Sequence, residues 1–466
     1  INIIKQTFPV LSIETKPESE FKIINDFGSK QLIMGVDYLV HSSGTMSYIP
    51  NPVDVVFAGY GIFAPEYDYN DFQNLDINGK AVILLGGEPE SSEPDYFSGE
   101  IDTRHSLIET KQKNAISRGA IACIIVPNQK EFKFKNWNYW KNDYSEPEFT
   151  LLYYPTNILT FILNPESFKE LLSAELKIKE AENYNQLKQF NLNTKISYKG
   201  IYKDKSYQLS NIIYRIDCPK ENKSDECLIV TAHYDHLGIG KPIGNDSIYN
   251  GFMDNSLGVA CLMELADKFS RIKDSLKRNL VFIFTAGEEK GLLGSTYYLN
   301  NPLFPLYKTI ANVNIDGVPY IDKFKSIIGI GSKFSTIDSI LDLTARQQNL
   351  NLDEIPPFYD ETASFNRSDQ IAFAYSGIPS VLVSDGLNYL NVNSDEALNR
   401  LIDFMNNIYH TPKDDISQRI DYDAVMQYIQ FMFEFITNLI NSDKAPEWYS
   451  GTGFYMERLR SQAEKR

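Results

Sequence analysis

The 466-residue chain is 43% hydrophobic, 13% aromatic and 23% charged, an ordinary globular mixture that excludes wholesale disorder and fibrous repeats and leaves room for two or three domains. Its 61 acidic against 45 basic residues give a net charge of −16, which argues against non-specific nucleic-acid binding, since that depends on cationic contacts to phosphate. No apolar run approaches the ~20 residues of a membrane helix, so no membrane span is expected. The opening, INIIKQTFPVL, is not a signal peptide; it begins on Ile1 rather than Met, so a processed or trimmed start is expected.

Along the chain, residues 1–45 carry short strand-like pieces such as FPVLSIE and read as a connecting segment. From 46 onwards, DVVFAGYGIFAP and KAVILLGGEPE are apolar runs bounded by Gly, Pro and Asp, which favours strands. Residues 106–119 predict a helix ending at Gly119, followed by a buried strand, AIACIIVPN. Residues 128–150 show no period and read as loop. Within them FKFKNWNYWKNDY, like His105 upstream, reads as surface, with contact to a substrate or partner as the alternative. NILTFIL predicts a strand and NPESFKELLSAE a capped helix. Residues 175–205, rich in Lys, Asn and Gln, read as a join between domains.

From 208 the pattern changes to apolar strands alternating with amphipathic helices: NIIYRID, CLIVTAHYD, NLVFIFTAG, IANVNIDG and IPSVLVSDG against helices over 256–270 and 422–441. The first helix places Val259, Leu262, Met263, Ala266 and Phe269 on one stripe. This alternation predicts an α/β fold, a three-layer αβα sandwich with a mixed, mostly parallel sheet. Cys123 and Cys261 lie in apolar runs and read as buried free thiols. Cys218 and Cys227 flank the polar PKENKSDE and suit either a disulfide across the base of that hairpin, implying an oxidising compartment, or two free thiols.

In such folds ligands collect beyond the carboxyl ends of the strands. There the chain places His233 and Asp235, then Asp254 ahead of a helix, then Glu288 and Glu289, then Asp316, and after a long loop His410. Taken singly, each has an ordinary structural reading: Asp254 as a helix N-cap, Asp316–Gly317 as a turn, the glutamates as a solvated corner. Together, imidazoles and carboxylates suit Zn²⁺. Five candidates with one bridging carboxylate suit two ions, and paired glutamates can divide into a ligand and a base.

Five motifs, TAHYDHLG, GFMDNSLGVACLMELA, RNLVFIFTAGEEKGLLGSTYYL, ANVNIDG and YHTPKDD, occur in an order that resembles the zinc aminopeptidase family with a co-catalytic metal pair. That family includes leucyl-type aminopeptidases and has glutamate carboxypeptidase and glutaminyl cyclase as distant relatives. The resemblance covers roughly 208–440. It implies two Zn²⁺ ions, one held by His233 and Asp316, the other by Glu289 and His410, with Asp254 bridging. It further implies Glu288 as general base and acid and Asp235 as the residue orienting His233 by a hydrogen bond. His236 receives no metal role. The resemblance also implies peptide substrates with a free N-terminus and an exported location, periplasmic, cell-envelope or secreted. Residues 46–190 resemble a protease-associated domain, β-rich, which would leave 191–445 as the peptidase domain and 446–466 as a tail.

Three departures stand out. Met253 precedes the bridging aspartate where the family often has an acid. Gln370 stands where relatives often have His. An N-terminal helical segment is lacking, expected to be truncated or removed. A glutamate-type carboxypeptidase would need a cationic cluster, for which Arg346 and Arg367 are the candidates. A glutaminyl cyclase would use one metal, and a non-catalytic binding module would have lost ligands. Tyr234, Met253, Phe358, Tyr359 and Tyr389 are loop residues that could line the substrate pocket or pack in the core.

Overall fold

A computed structural model describes residues 2–463 apart from 27, 43–47, 92, 94–95, 98–102, 130–131, 133–135, 145, 153–157, 174–181, 220 and 356–364. Phe358 and Tyr359 lie outside the described residues. The chain divides into two compact units, Ile1–Phe8 with Gln208–Arg466, and Pro9–Tyr207.

The first unit is built on a mixed sheet of β1 (Tyr202–Ile216), β2 (Lys223–His233), β3 (Arg278–Thr285), β4 (Thr309–Asn314), β5 (Ser326–Ile330), β6 (Asn351–Leu352) and β7 (Ser380–Asp385). The order is β1-β3-β2-β4-β7-β5-β6, with the Asn2–Thr15 strand beside β1. β3, β2, β4 and β7 run parallel, whereas β1 and β5 pair antiparallel to β3 and β7. The central strands are apolar on both faces because both are covered, as expected of parallel strands. On one face Leu228, Val230, Leu280 and Phe282 pack against helices α1 (Leu257–Arg271), α2 (Ile337–Gln347) and α3 (Tyr422–Ile440). On the other, Ile213, Cys227, Ile229 and Val281 pack against Tyr298, Leu299 and Phe373. This is the three-layer αβα sandwich expected from the sequence. α1 buries Leu257, Cys261, Leu262, Leu265, Ala266 and Phe269. Met263, placed on the buried stripe by the sequence reading, is 60% exposed: the stripe is rotated by about one residue.

All four cysteines are buried and free. Cys227 points with Ile229 into one face of the sheet, while Cys218 packs in the cluster on the other, so the strand alternation separates the two thiols. The segment expected as a tail forms a helix, Gly453–Ala463, which buries Phe454 against Trp448.

The second unit has an eight-stranded sheet in the order Gly28–Leu32, Glu20–Asn25, Phe190–Lys199, Tyr48–Phe57, Ala81–Leu85, Ala122–Val126, Leu159–Leu163 and Tyr38–Ser42. Ala81–Leu85 and Ala122–Val126 are buried on both faces, feeding two separate cores. Two expected loops are structured. Trp137–Asp143 is a helix capped by the Asn136 side chain, and Trp137 and Trp140 pack on the core. Phe190–Lys199, read as linker, alternates Leu192, Thr194, Ile196 and Tyr198 inward with polar residues outward. His105, read as surface, is 3% exposed, and its Nε2 lies 3.1 Å from Glu66 Oε1.

Candidate metal centre

The seven residues singled out in the sequence come from the ends of β2, β3 and β4 and from two loops. His233 ends β2 and is 1% exposed. Its Nε2 lies 3.1 Å from Asp254 Oδ1 and 3.3 Å from Asp316 Oδ1. His410 Nε2 lies 3.3 Å from Asp254 Oδ2 and 3.1 Å from Glu289 Oε2. Asp254 therefore offers one carboxylate oxygen to each imidazole. Glu288 is buried, with a carboxylate oxygen within 4.8 Å of a ring nitrogen of His233 and a carboxylate oxygen of Glu289.

The backbone holds these groups from behind. Asp414 accepts from the backbone N–H groups of Met253 at 2.8 Å and Asp254 at 3.1 Å, while its own carbonyl accepts from Phe252 N. Asn255 Nδ2 donates to the Ile315 carbonyl at 2.8 Å, joining the Asp254 turn to the residue before Asp316. Asn211 accepts from Ala286 N and donates to Gly294 O, gripping both ends of the turn that carries the glutamates. His410 adopts a left-handed backbone, φ 55°, costly for a non-glycine residue, and its ring stacks on Tyr409 at 3.8 Å. Because Asp414 is fully buried and serves two backbone donors, Asp414→Ala should cost about 2–3 kcal/mol of stability in a denaturant melt. A change below about 0.5 kcal/mol would show that these bonds do not hold the turn.

Asp235 departs from its expected part. His233 Nδ1 lies 2.9 Å from the Asp235 backbone carbonyl rather than from its carboxylate. The carboxylate accepts instead from Gly287 N at 2.5 Å, tying β2 to the glutamate turn. The Nδ1–H still donates, so Nε2 is the nitrogen left facing Asp254 and Asp316.

Three participants were not assigned from the sequence. His236 Nδ1 lies 2.6 Å from Glu289 Oε1. Asp369, fully buried, accepts from the Thr285 hydroxyl at 2.5 Å and from the Ser295 hydroxyl. Asp414 was visible within YHTPKDD but carried no role. Gln370, where relatives often have His, is fully buried and accepts from Asn314 Nδ2 at 2.8 Å while donating to Phe365 O. It thus buttresses the end of β4. Arg346 pairs with Asp342 on its own helix and Arg367 is exposed, so neither forms a cationic cluster with this centre. Met253 and Tyr389 are buried in the core, whereas Tyr234 is 45% exposed.

The electrostatics follow from crowding acids and imidazoles out of water. Burial raises the Glu288 carboxyl well above its ordinary range, and the nearby Asp316, Asp369 and Glu289 charges add to this. Burial would also raise Glu289, but His236 and His410 outweigh it and hold Glu289 down to about 2. Burial would lower His410, yet Asp254 and Glu289 bring it up to about 9. Among the described residues no Lys or Arg pairs with these carboxylates. Buried Asp254 Oδ2 and His410 Nε2 lack a hydrogen-bond partner there. The four imidazole–carboxylate spacings of 3.1–3.3 Å match the edge of about 3.3 Å expected for ligands of a tetrahedral ion with ~2.05 Å bonds. The donor set therefore fits divalent cations of the zinc type.

Residues 211–436 match the profile of peptidase family M28. Over that span the chain is similar to M28 peptidases. It is also similar to vacuolar membrane proteases. One from Verticillium alfalfae is 31% identical over 86 residues, 18% of this chain and 8% of that protein. One from Saccharomyces cerevisiae is 32% identical over 111 residues, 24% of this chain and 10% of that protein. The matched segments thus span about a tenth of the curated relatives' length. Among solved structures, an aminopeptidase from Aneurinibacillus sp. strain AM-1 aligns over 93% of this chain and 83% of that one, with 18% identity and a TM-score of 0.48. A zinc aminopeptidase from Bacillus subtilis aligns over 97% and 88%, with 18% identity and a TM-score of 0.42.

The names of the curated relatives correct two expectations drawn from the sequence. An exported, periplasmic or secreted location and the exclusion of a membrane are both overturned by relatives named for a vacuolar membrane. No helix among the described residues is long and apolar enough to cross a membrane, a statement about those helices alone.

Proposed function

We propose that the M28-like domain is a metallo-exopeptidase that removes N-terminal residues from peptides with two zinc ions and Glu288 as proton carrier. One observation supports this above the others: Asp254 faces His233 with one oxygen and His410 with the other, so two donor sets share one carboxylate. His233, Asp254 and Asp316 would hold one ion, and Asp254, Glu289 and His410 the other. Zinc, when bound, polarises a carbonyl and acidifies water. Glu288, outside both donor sets, takes a proton from the attacking water on its carboxylate oxygen and returns it to the leaving amine nitrogen. Its burial keeps bulk water from intercepting that proton. For the other unit we propose that residues 46–190 are a protease-associated module, supported by the VVFAGYGIFAP and AIACIIVPN runs.

The test combines elemental analysis with a panel of aminoacyl chromogenic substrates, assayed with and without a chelator. About two zinc ions per chain are expected, with chelator-sensitive release from free-amine substrates and none from N-blocked ones. A metal-free active protein, or equal cleavage of N-blocked substrates, would sink the reading.

A further inference from the structure

His236 stands three residues after His233, and its side chain is 5% exposed. Its Nδ1 lies 2.6 Å from Glu289 Oε1 and 3.8 Å from Asp254 Oδ2. The ring is wedged in place: the His410 ring stands edge-on at 5.5 Å, and a Cβ on Gly251 would lie 2.6 Å from His236 Cγ. Gly251 also has a positive φ of 65°, so both its conformation and its missing side chain admit the imidazole.

A histidine so placed is either a ligand or a donor to a ligand, and the spacing separates the two. The four imidazole–carboxylate pairs of the centre are 3.1–3.3 Å apart, as ligands of one tetrahedral ion are. The His236–Glu289 distance of 2.6 Å is too short for that edge and falls at the short end of a charge-assisted hydrogen bond. We propose that His236 is a positioning residue for Glu289. Its Nδ1–H donates to Oε1 and leaves Oε2 as the single oxygen facing His410 Nε2. His236 Nε2, buried and without a hydrogen-bond partner, is then the unprotonated nitrogen, so no N–H is stranded. The arrangement also fixes which of the adjacent glutamates turns toward the His410 donor set. This inference rests on the two-zinc reading above.

The test compares the full chain as wild type, His236→Ala and His236→Asn. Zn²⁺ is titrated in competition with a chromophoric chelator, and Co²⁺-loaded protein gives a visible absorption spectrum. In His236→Ala one ion should bind as in wild type and the other about 10–100-fold more weakly. His236→Asn, whose amide N–H can replace Nδ1–H, should recover most of that loss and keep the wild-type Co²⁺ spectrum. Wild-type affinity for both ions in His236→Ala overturns the proposal. So does a His236→Asn protein as weak as His236→Ala with a Co²⁺ spectrum that has lost a nitrogen ligand, since His236 would then be a ligand itself. If His236→Ala does not fold, the His236→Asn titration and spectrum decide alone. A wild type that binds no metal overturns the zinc reading as well, which separates the two failures.

Discussion

Glu288→Gln should bind the same number of metal ions as the wild type and lose about 10³-fold in kcat on a free-amine substrate, with little change in KM. The amide has nearly the shape of the carboxyl but cannot take a proton. Glu288 lies beside His233 and Glu289 but is assigned to neither proposed donor set, so metal retention should not depend on its charge. Stability should not fall either. Burial and the surrounding Asp316, Asp369 and Glu289 disfavour the ionised form, and a neutral amide relieves that repulsion. The measurement is a Michaelis profile at matched zinc content beside a thermal melt. A rate within a few-fold of wild type would remove Glu288 from the chemistry. A fall in zinc content would make it a ligand.

Asp254→Ala should strip both ions. Without its carboxylate, His233 keeps only Asp316, and His410 keeps only Glu289. Two donors fall short of the three protein ligands usual for a zinc with an open position. After dialysis against a zinc buffer, the content should drop from about two ions per chain to well under one. Activity should fall at least as far as in Glu288→Gln. Retention of one ion at wild-type affinity would mean that Asp254 serves one donor set only. Asp254→Asn refines the result: it keeps a similar shape and one carbonyl oxygen, so any ion it retains identifies the set that needs the charge less.

How much of this could be read from the chain depended on where each residue sits relative to a buried strand. LIVTA, VFIFTA and ANVNI are largely apolar because both faces of the sheet are covered, their buried Thr231, Thr285, Asn312 and Asn314 being hydrogen-bonded, and the ionisable residues that follow fall at the strand ends. That made His233, Glu288, Glu289 and Asp316 easy to find. His236 gave no such signal. It lies in an irregular turn, and its partner Glu289 is 53 residues away, so only the folded chain brings them together. Asp369 and Asp414 are acids in loops, where burial leaves no pattern in the sequence. The Phe190–Lys199 strand did carry a signal, the alternation of Leu192, Thr194, Ile196 and Tyr198, but its Lys and Asn content made it read as linker. Asp235 was recognised as a neighbour of His233, but sequence cannot tell which of its oxygens faces the imidazole.

His410 and Asp414 sit on one short loop, with Asp414 fastened to the backbone of Met253 and Asp254. The three residues between them, Thr411, Pro412 and Lys413, therefore act as a spacer of set length. Thr411 bonds back to Ile408 through its hydroxyl, and Asp414 N bonds to Thr411 O, so the spacer has little slack. An insertion or deletion there would not merely displace one imidazole. It would pull on the turn that carries Asp254, and through that shared carboxylate disturb the donor set on the far side, around His233. The two halves of the centre are thus gauged against each other by a stretch of chain that supplies no ligand.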